Sequence, residues 1–206
     1  MHVPDVFYIR LNGLELQTER ILDPSLRNRP VAIISSYDSK GTIVSLSKEA
    51  EDDGLSYGMK ISMAKRISQS TRFLPYNWPL YSKINQYILQ TISDFTPTIE
   101  QNGFDGFYLD MKGIDILSGH IHNSGLSIFN RIQDKTSIIS SVGISINKLI
   151  SRTITSVVPE KVHNKISLKL KIPMIKKYRS LNLSTSVSIL LSENLRQTKY
   201  LNGFRS

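Results

Sequence analysis

The stretch Thr98-Ile-Glu-Gln-Asn-Gly-Phe-Asp-Gly-Phe-Tyr-Leu-Asp-Met-Lys112 decides how the chain folds. Its alternation of polar and apolar residues predicts a central β-hairpin, and Asp105 and Asp110 make it the first place to look for chemistry. Strand-like apolar runs at Val6 to Leu11 and Thr136 to Ile144 can lie beside it, with helical patterns between them. Strand, helix, strand, strand, helix, strand is the order of a split βαβ unit.

The two acids have two readings. Near a strand pair they can hold Mg²⁺, a hard ion that takes oxygen ligands and keeps waters or phosphates in its shell. Equally, Asp105 is a turn residue before Gly106 and Asp110 a solvated strand position. In a regular strand the two face opposite sides, because side chains alternate with period two.

With 206 residues, 40% of them hydrophobic, the chain can bury a real core in one domain or two small ones. It has no cysteine, which excludes disulfides and thiolate metal sites. Met1 to Asp5 lacks a basic leader pattern, and no run of about 18 apolar residues occurs, so the expectation is an intracellular, cytoplasmic protein without membrane contact. The net charge of +9 is concentrated: from Lys148 onward there are twelve Lys or Arg against Glu160 and Glu193, a net of +10, leaving −1 for residues 1–147. Such a block points to a polyanion, nucleic acid above all, with an acidic protein or membrane surface and a merely solvated basic face as the other readings.

Along the chain, Val6 to Leu11 reads as a buried strand in which Arg10 is the odd residue, and Leu14, Leu16 and Ile21 follow at helical spacing. Past the turn-rich Asp23 to Pro30, Val31 to Ser35 and Thr42 to Leu46 read as a hairpin, and Ser47 caps a short acidic helix ended by Gly54. Met59, Met63 and Ile67 recur at helical spacing and read as core. Phe73 to Tyr76 is extended. The strongest helix spans Leu80 to Phe95 with Tyr81, Ile84, Ile88 and Ile92 on its buried face, and Leu126, Ile128, Phe129 and Ile132 mark another. His120 and His122 have no third ligand at suitable spacing and read as loop residues. Ile146 to Ile154 is helical with Lys148 and Arg152 one turn apart, and short helices are expected from Pro173 to Phe204.

Read together, several segments resemble the Y-family translesion DNA polymerases, the DinB/UmuC superfamily. They are Phe7-Tyr-Ile-Arg-Leu-Asn-Gly13, Pro24-Ser-Leu-Arg-Asn-Arg-Pro-Val-Ala-Ile33, Gly41-Thr-Ile-Val-Ser-Leu-Ser-Lys-Glu-Ala50, Gly54-Leu-Ser-Tyr-Gly-Met59, Tyr108-Leu-Asp110 and Ser141-Val-Gly-Ile-Ser-Ile-Asn-Lys-Leu149. The resemblance is colinear from Val6 to Arg152. It implies an α+β fold: a palm with a split βαβ sheet and helices on one face, from residues 1–12 and 76–164, fingers from 13–75, and a partial helical thumb at 165–206. The family's little finger is expected to have no counterpart in this sequence.

Members of the family clamp two Mg²⁺ ions with three carboxylates. By resemblance these positions fall on Arg10, Asp105 and Gly106, so only Asp105 keeps a ligand. A guanidinium about 4 Å from a divalent cation is repelled by about 8 kcal/mol at an effective dielectric of about 20. The nucleotide pocket departs in the same direction. Its aromatic steric gate falls on Glu15, the neighbouring aromatic on Leu14, and the Tyr and Arg that hold the triphosphate on Lys48 and Glu51. The triphosphate Lys falls near Pro159, with Lys161 as an imperfect substitute. Arg10 is expected to pair with Asp105 or Glu15 where metal would otherwise sit.

The resemblance therefore implies a catalytically degenerate member, similar to the ImuB-type branch, that binds DNA phosphates without sequence preference as an accessory factor in repair. Its DNA contacts are expected from Lys148, Arg152, Lys161, Lys165, Lys176, Lys177 and Arg179. No metal or cofactor is expected, with Mg²⁺ only if activity survives; the other partners would be repair or replication proteins, and a bacterial location would be nucleoid-associated. The alternatives are a weakly active polymerase using Asp105 with Asp110 or Glu100, and a scaffold for an acidic protein.

Overall fold

The structure is a computed structural model that describes residues 5–38, 40–113 and 121–157. Lys161, Lys165, Lys176, Lys177, Arg179, His120 and the whole expected thumb lie outside the described residues.

A four-stranded sheet carries the site. Its order is β5 (Ile99–Gln101), β6 (Gly106–Asp110), β1 (Val6–Leu11), β7 (Ser140–Ser145), and every neighbouring pair is antiparallel. Phe7, Ile9 and Leu11 alternate onto one face, where they meet Ile88 and Ile92 of α4 (Trp78–Ser93) and Ile128 and Ile132 of α5 (Ile121–Thr136). Phe107, Leu109 and Val142 complete this core. The other face is covered at its β7 end by α6 (Lys148–Val157). There a Cβ on Gly143 would stand 2.1 Å from the Ser151 carbonyl oxygen, so only glycine lets the helix approach so closely.

A second, three-stranded sheet has the order β3 (Ile43–Leu46), β2 (Val31–Ile34), β4 (Arg72–Pro75), with β2 antiparallel to β3 and parallel to β4. β2 is buried on both sides. Ala32 and Ile34 face Ala50, Leu55, Ile61 and Ala64, whereas Val31 and Ile33 face Leu16 and Leu26. This explains an unbroken apolar run instead of an alternating one. α1 (Leu14–Leu22) joins the sheets, and α2 (Lys48–Asp52) is capped by Ser47 Oγ, which accepts from the Ala50 N–H. Arg20 and Glu49 link α1 to α2 at 2.7 Å.

Four expectations need correction, the first being His122, which lies in the first turn of α5 and not in a loop before it. The methionine stripe is core only at Met59, which packs against the core of the three-stranded sheet: Met63 and Ile67 of α3 (Ile61–Ile67) are 56% and 43% exposed, and the helix buries Ile61 and Ala64. Met59 lies before the helix, so its spacing to Met63 does not describe one helical face. The strand expected from Thr136 begins only at Ser140. Thr136 Oγ1 donates to the Ile132 carbonyl and accepts from the Ile138 N–H, which ends α5 with a side-chain cap that outweighs strand propensity. The long helix starts at Trp78, two residues early, because Asn77 Oδ1 accepts from the Leu80 N–H. Among the described residues no helix is long and apolar enough to cross a membrane.

Gln17 ties α1 to the approach to β7. Its Nε2 donates to the carbonyls of Asn12 (2.6 Å) and Ile139 (2.8 Å), and its Oε1 accepts from the Ile139 N–H at 2.7 Å. Gln17→Ala leaves three backbone groups unpaired and is expected to lower unfolding free energy by about 1–3 kcal/mol, read from the urea midpoint at unchanged slope.

Candidate functional site

The face opposite the α4–α5 core holds the residues singled out for chemistry. Register places Arg10 between Gly106 on β6 and Ser141 on β7, and Tyr8 between Tyr108 and Gly143. These side chains share a face because they lie at even spacing along β1. Asp105 stands just before β6, where its carbonyl accepts from the Leu11 N–H at 2.7 Å. Asp110 ends the same strand, exposed as a solvated strand position, and its carboxylate accepts from the Lys112 N–H. Asp105 and Asp110 thus sit at opposite ends of β6, so they are not brought together.

Arg10 Nε lies 3.9 Å from Asp105 Oδ2, and its Nη1 donates to Ser156 Oγ on α6 at 3.3 Å. The side chains of Arg10 and Asp105 are 39% and 52% exposed, so this pair contributes at most about 1 kcal/mol. The pairing with Glu15 does not form among the described residues. Glu15 is half-buried in the first turn of α1, and burial, with the nearby charge of Asp105, raises its pKa above the ordinary carboxylate value. Leu14 is buried in the core of the four-stranded sheet.

Lys48 and Glu51, expected from the resemblance at a degenerate nucleotide pocket, satisfy one another. Lys48 Nζ lies 3.0 Å from Asp52 and 3.2 Å from Glu51, and these hydrogen bonds raise its pKa. Lys148, expected to contact DNA, is engaged by Glu100 and sits 5.4 Å from the Tyr108 ring centre. Arg152 is exposed on α6. Glu100, weighed in the sequence as a partner of Asp105, is instead bound by Lys148, and Ser156, Tyr8 and Asn102 were not singled out there as a site. Their only signal there was even spacing along β1, or polarity next to the hairpin turn.

Two Mg²⁺ ions would need several oxygen ligands with anionic charge. The residues here do not fit that set: beside Asp105 stand a guanidinium, Arg10, and a glycine, Gly106, where the resemblance led one to expect carboxylates. Among the described residues no group of three or more His, Asp or Glu stands close enough to hold a metal.

A split βαβ sheet with α4 and α5 behind it, a second small sheet, and an aspartate at the sheet's open face define a polymerase-palm-like α+β protein. Solved structures share this fold. The Dbh DNA polymerase insertion ternary complex superposes with a TM-score of 0.66 at 25% identity, covering 73% of this chain and 45% of that one. DinB from Sulfolobus solfataricus, at 24% identity, gives the same TM-score over 73% and 45%. DNA polymerase IV of Dehalococcoides mccartyi is 30% identical over 155 residues, 75% of this chain and 40% of its own length. That of Nitrosopumilus maritimus is 31% identical over 205 residues, 87% and 56%. Residues 9–156 match the impB/mucB/samB family, to which the chain belongs. It spans about half, or less, of the length of these curated relatives.

The raised pKa of Glu15 has a definite sign. The folded form holds its proton more tightly than the unfolded form, so the charged carboxylate opposes folding at neutral pH, and this penalty disappears as pH falls to the ordinary carboxylate range. Glu15→Gln is expected to raise the Tm at pH 7, with the gain fading on acidification through that window in a calorimetric pH series.

Proposed function

We propose that this protein is a catalytically silent Y-family polymerase-like factor that binds DNA through phosphates and serves repair or translesion synthesis as an accessory. In this reading the four-stranded sheet is the palm and the three-stranded sheet the fingers. The observation that carries the proposal is the Arg10 guanidinium beside Asp105, with Gly106 opposite it in register. A fixed cation next to the one remaining ligand disfavours a divalent ion there. Lys48, occupied by Glu51 and Asp52, supports the same reading, since a triphosphate would have to displace two carboxylates.

DNA binding in this reading rests on the basic block that begins at Lys148. The contacts go to phosphates, so affinity is expected to fall steeply with salt and to ignore sequence. Primer extension with Mg²⁺ or Mn²⁺ is the deciding assay for catalysis: no extension is expected, and extension abolished by Asp105→Ala would establish a polymerase instead. In a gel shift on primer–template DNA across salt concentrations, Arg152→Ala is expected to weaken binding alike for all sequences and to reduce the logarithmic salt slope by about 1.

A further inference from the structure

The Tyr8 phenol occupies the space that any side chain at position 106 would need. A Cβ built on Gly106 falls 2.1 Å from Tyr8 Oη, 2.8 Å from Tyr8 Cζ and 3.0 Å from the Asn102 carbonyl oxygen. Tyr8 is one diagonal step from Gly106 across the β1–β6 pair, within reach of a long aromatic side chain. Its ring is 2% exposed, packed on Tyr108 with centroids 4.6 Å apart, and its hydroxyl accepts from Asn102 Nδ2 at 3.1 Å.

The ring has little freedom to swing aside. Tyr108 is itself held beneath Lys148, whose ammonium is bound by Glu100. The backbone cannot retreat easily either, because Asn102 N–H donates to the Gly106 carbonyl at 2.8 Å and closes the hairpin. Asn102, Tyr8, Tyr108, Lys148 and Glu100 form one continuous chain of contacts from the hairpin turn across the face to α6.

We propose that Tyr8 is the residue that decides whether this face can take a divalent cation, because its phenol, locked by Asn102 and Tyr108, fills the third ligand's place. Arg10 opposes a cation by charge; Tyr8 excludes a ligand by volume. The two barriers are independent, so restoring acids at positions 10 and 106 does not rebuild a metal site while Tyr8 stays. The inference rests on the assignment of position 106 as a ligand position in the reading above.

Two measurements test it. In the first, Gly106→Ala is introduced into the wild type and into Tyr8→Phe and Tyr8→Ala backgrounds. The single change is expected to lower the Tm by roughly 3–8 °C, the loss shrinking with Tyr8→Phe and falling with Tyr8→Ala to the small remainder set by the Asn102 carbonyl. Tyr8→Phe, which keeps the ring, preserves the comparison if Tyr8→Ala does not fold. In the second, Mn²⁺ alone is titrated and followed by electron paramagnetic resonance. The Arg10→Asp/Gly106→Glu double variant is expected to bind at least about tenfold more weakly than the triple variant that adds Tyr8→Val. A Gly106→Ala protein as stable as the wild type, or a double variant that binds Mn²⁺ as tightly as the triple, overturns the proposal. Primer extension by the wild type would defeat the proposed function yet leave the Tyr8–Gly106 coupling standing, so the two failures are distinguishable.

Discussion

Strand Val6–Leu11 is hydrogen-bonded on both sides, to β6 in one direction and β7 in the other, and its alternation governs both halves of the molecule. Phe7, Ile9 and Leu11 are fully buried against α4 and α5. Burying such side chains stabilises the fold by about 1.5–3 kcal/mol each. Tyr8 and Arg10, between them, are turned to the opposite face. A slip of one residue would send the tyrosine and arginine into the core and the apolar set outward. The register that builds the core therefore also fixes the position of each group at the candidate site.

On that site's face and on α2 beside the second sheet, several charges are answered from within the chain. Arg10 faces Asp105, Lys148 holds Glu100, and Lys48 lies between Glu51 and Asp52. These pairs are too exposed to hold the fold together, which the apolar clusters do instead. Their consequence is electrostatic: the Arg10 guanidinium offsets part of the negative charge that Asp105 and the nearby Glu15 would offer a divalent cation. The accessory reading proposed above depends on this balance, with the binding free energy for DNA supplied by the basic block beyond it.

Much of the fold was legible from local pattern. The six residues of β1, the apolar run of β2 and the buried face of α4 all follow from periodicity, because the structures around them bury the faces that periodicity marks. The misses have local causes of another kind. Thr136 caps a helix through its hydroxyl where its β-branching favours a strand. Met63 follows helical spacing from a residue that is not in the helix. In both cases a hydrogen bond or a boundary decided what hydrophobicity could not.

For the site, the sequence by itself determined the chemical identities: a cation at position 10, an acid at 105, no side chain at 106, and basic charge gathered toward the C-terminal end. Only the tertiary structure decided that Tyr8 fills the space above Gly106, that Asn102 holds it there, and that Lys148 is taken by Glu100 rather than standing free. These partners lie far apart along the chain. They meet because strand register and the seating of α6 on Gly143 bring them together, and neither is encoded in the pattern of any one segment.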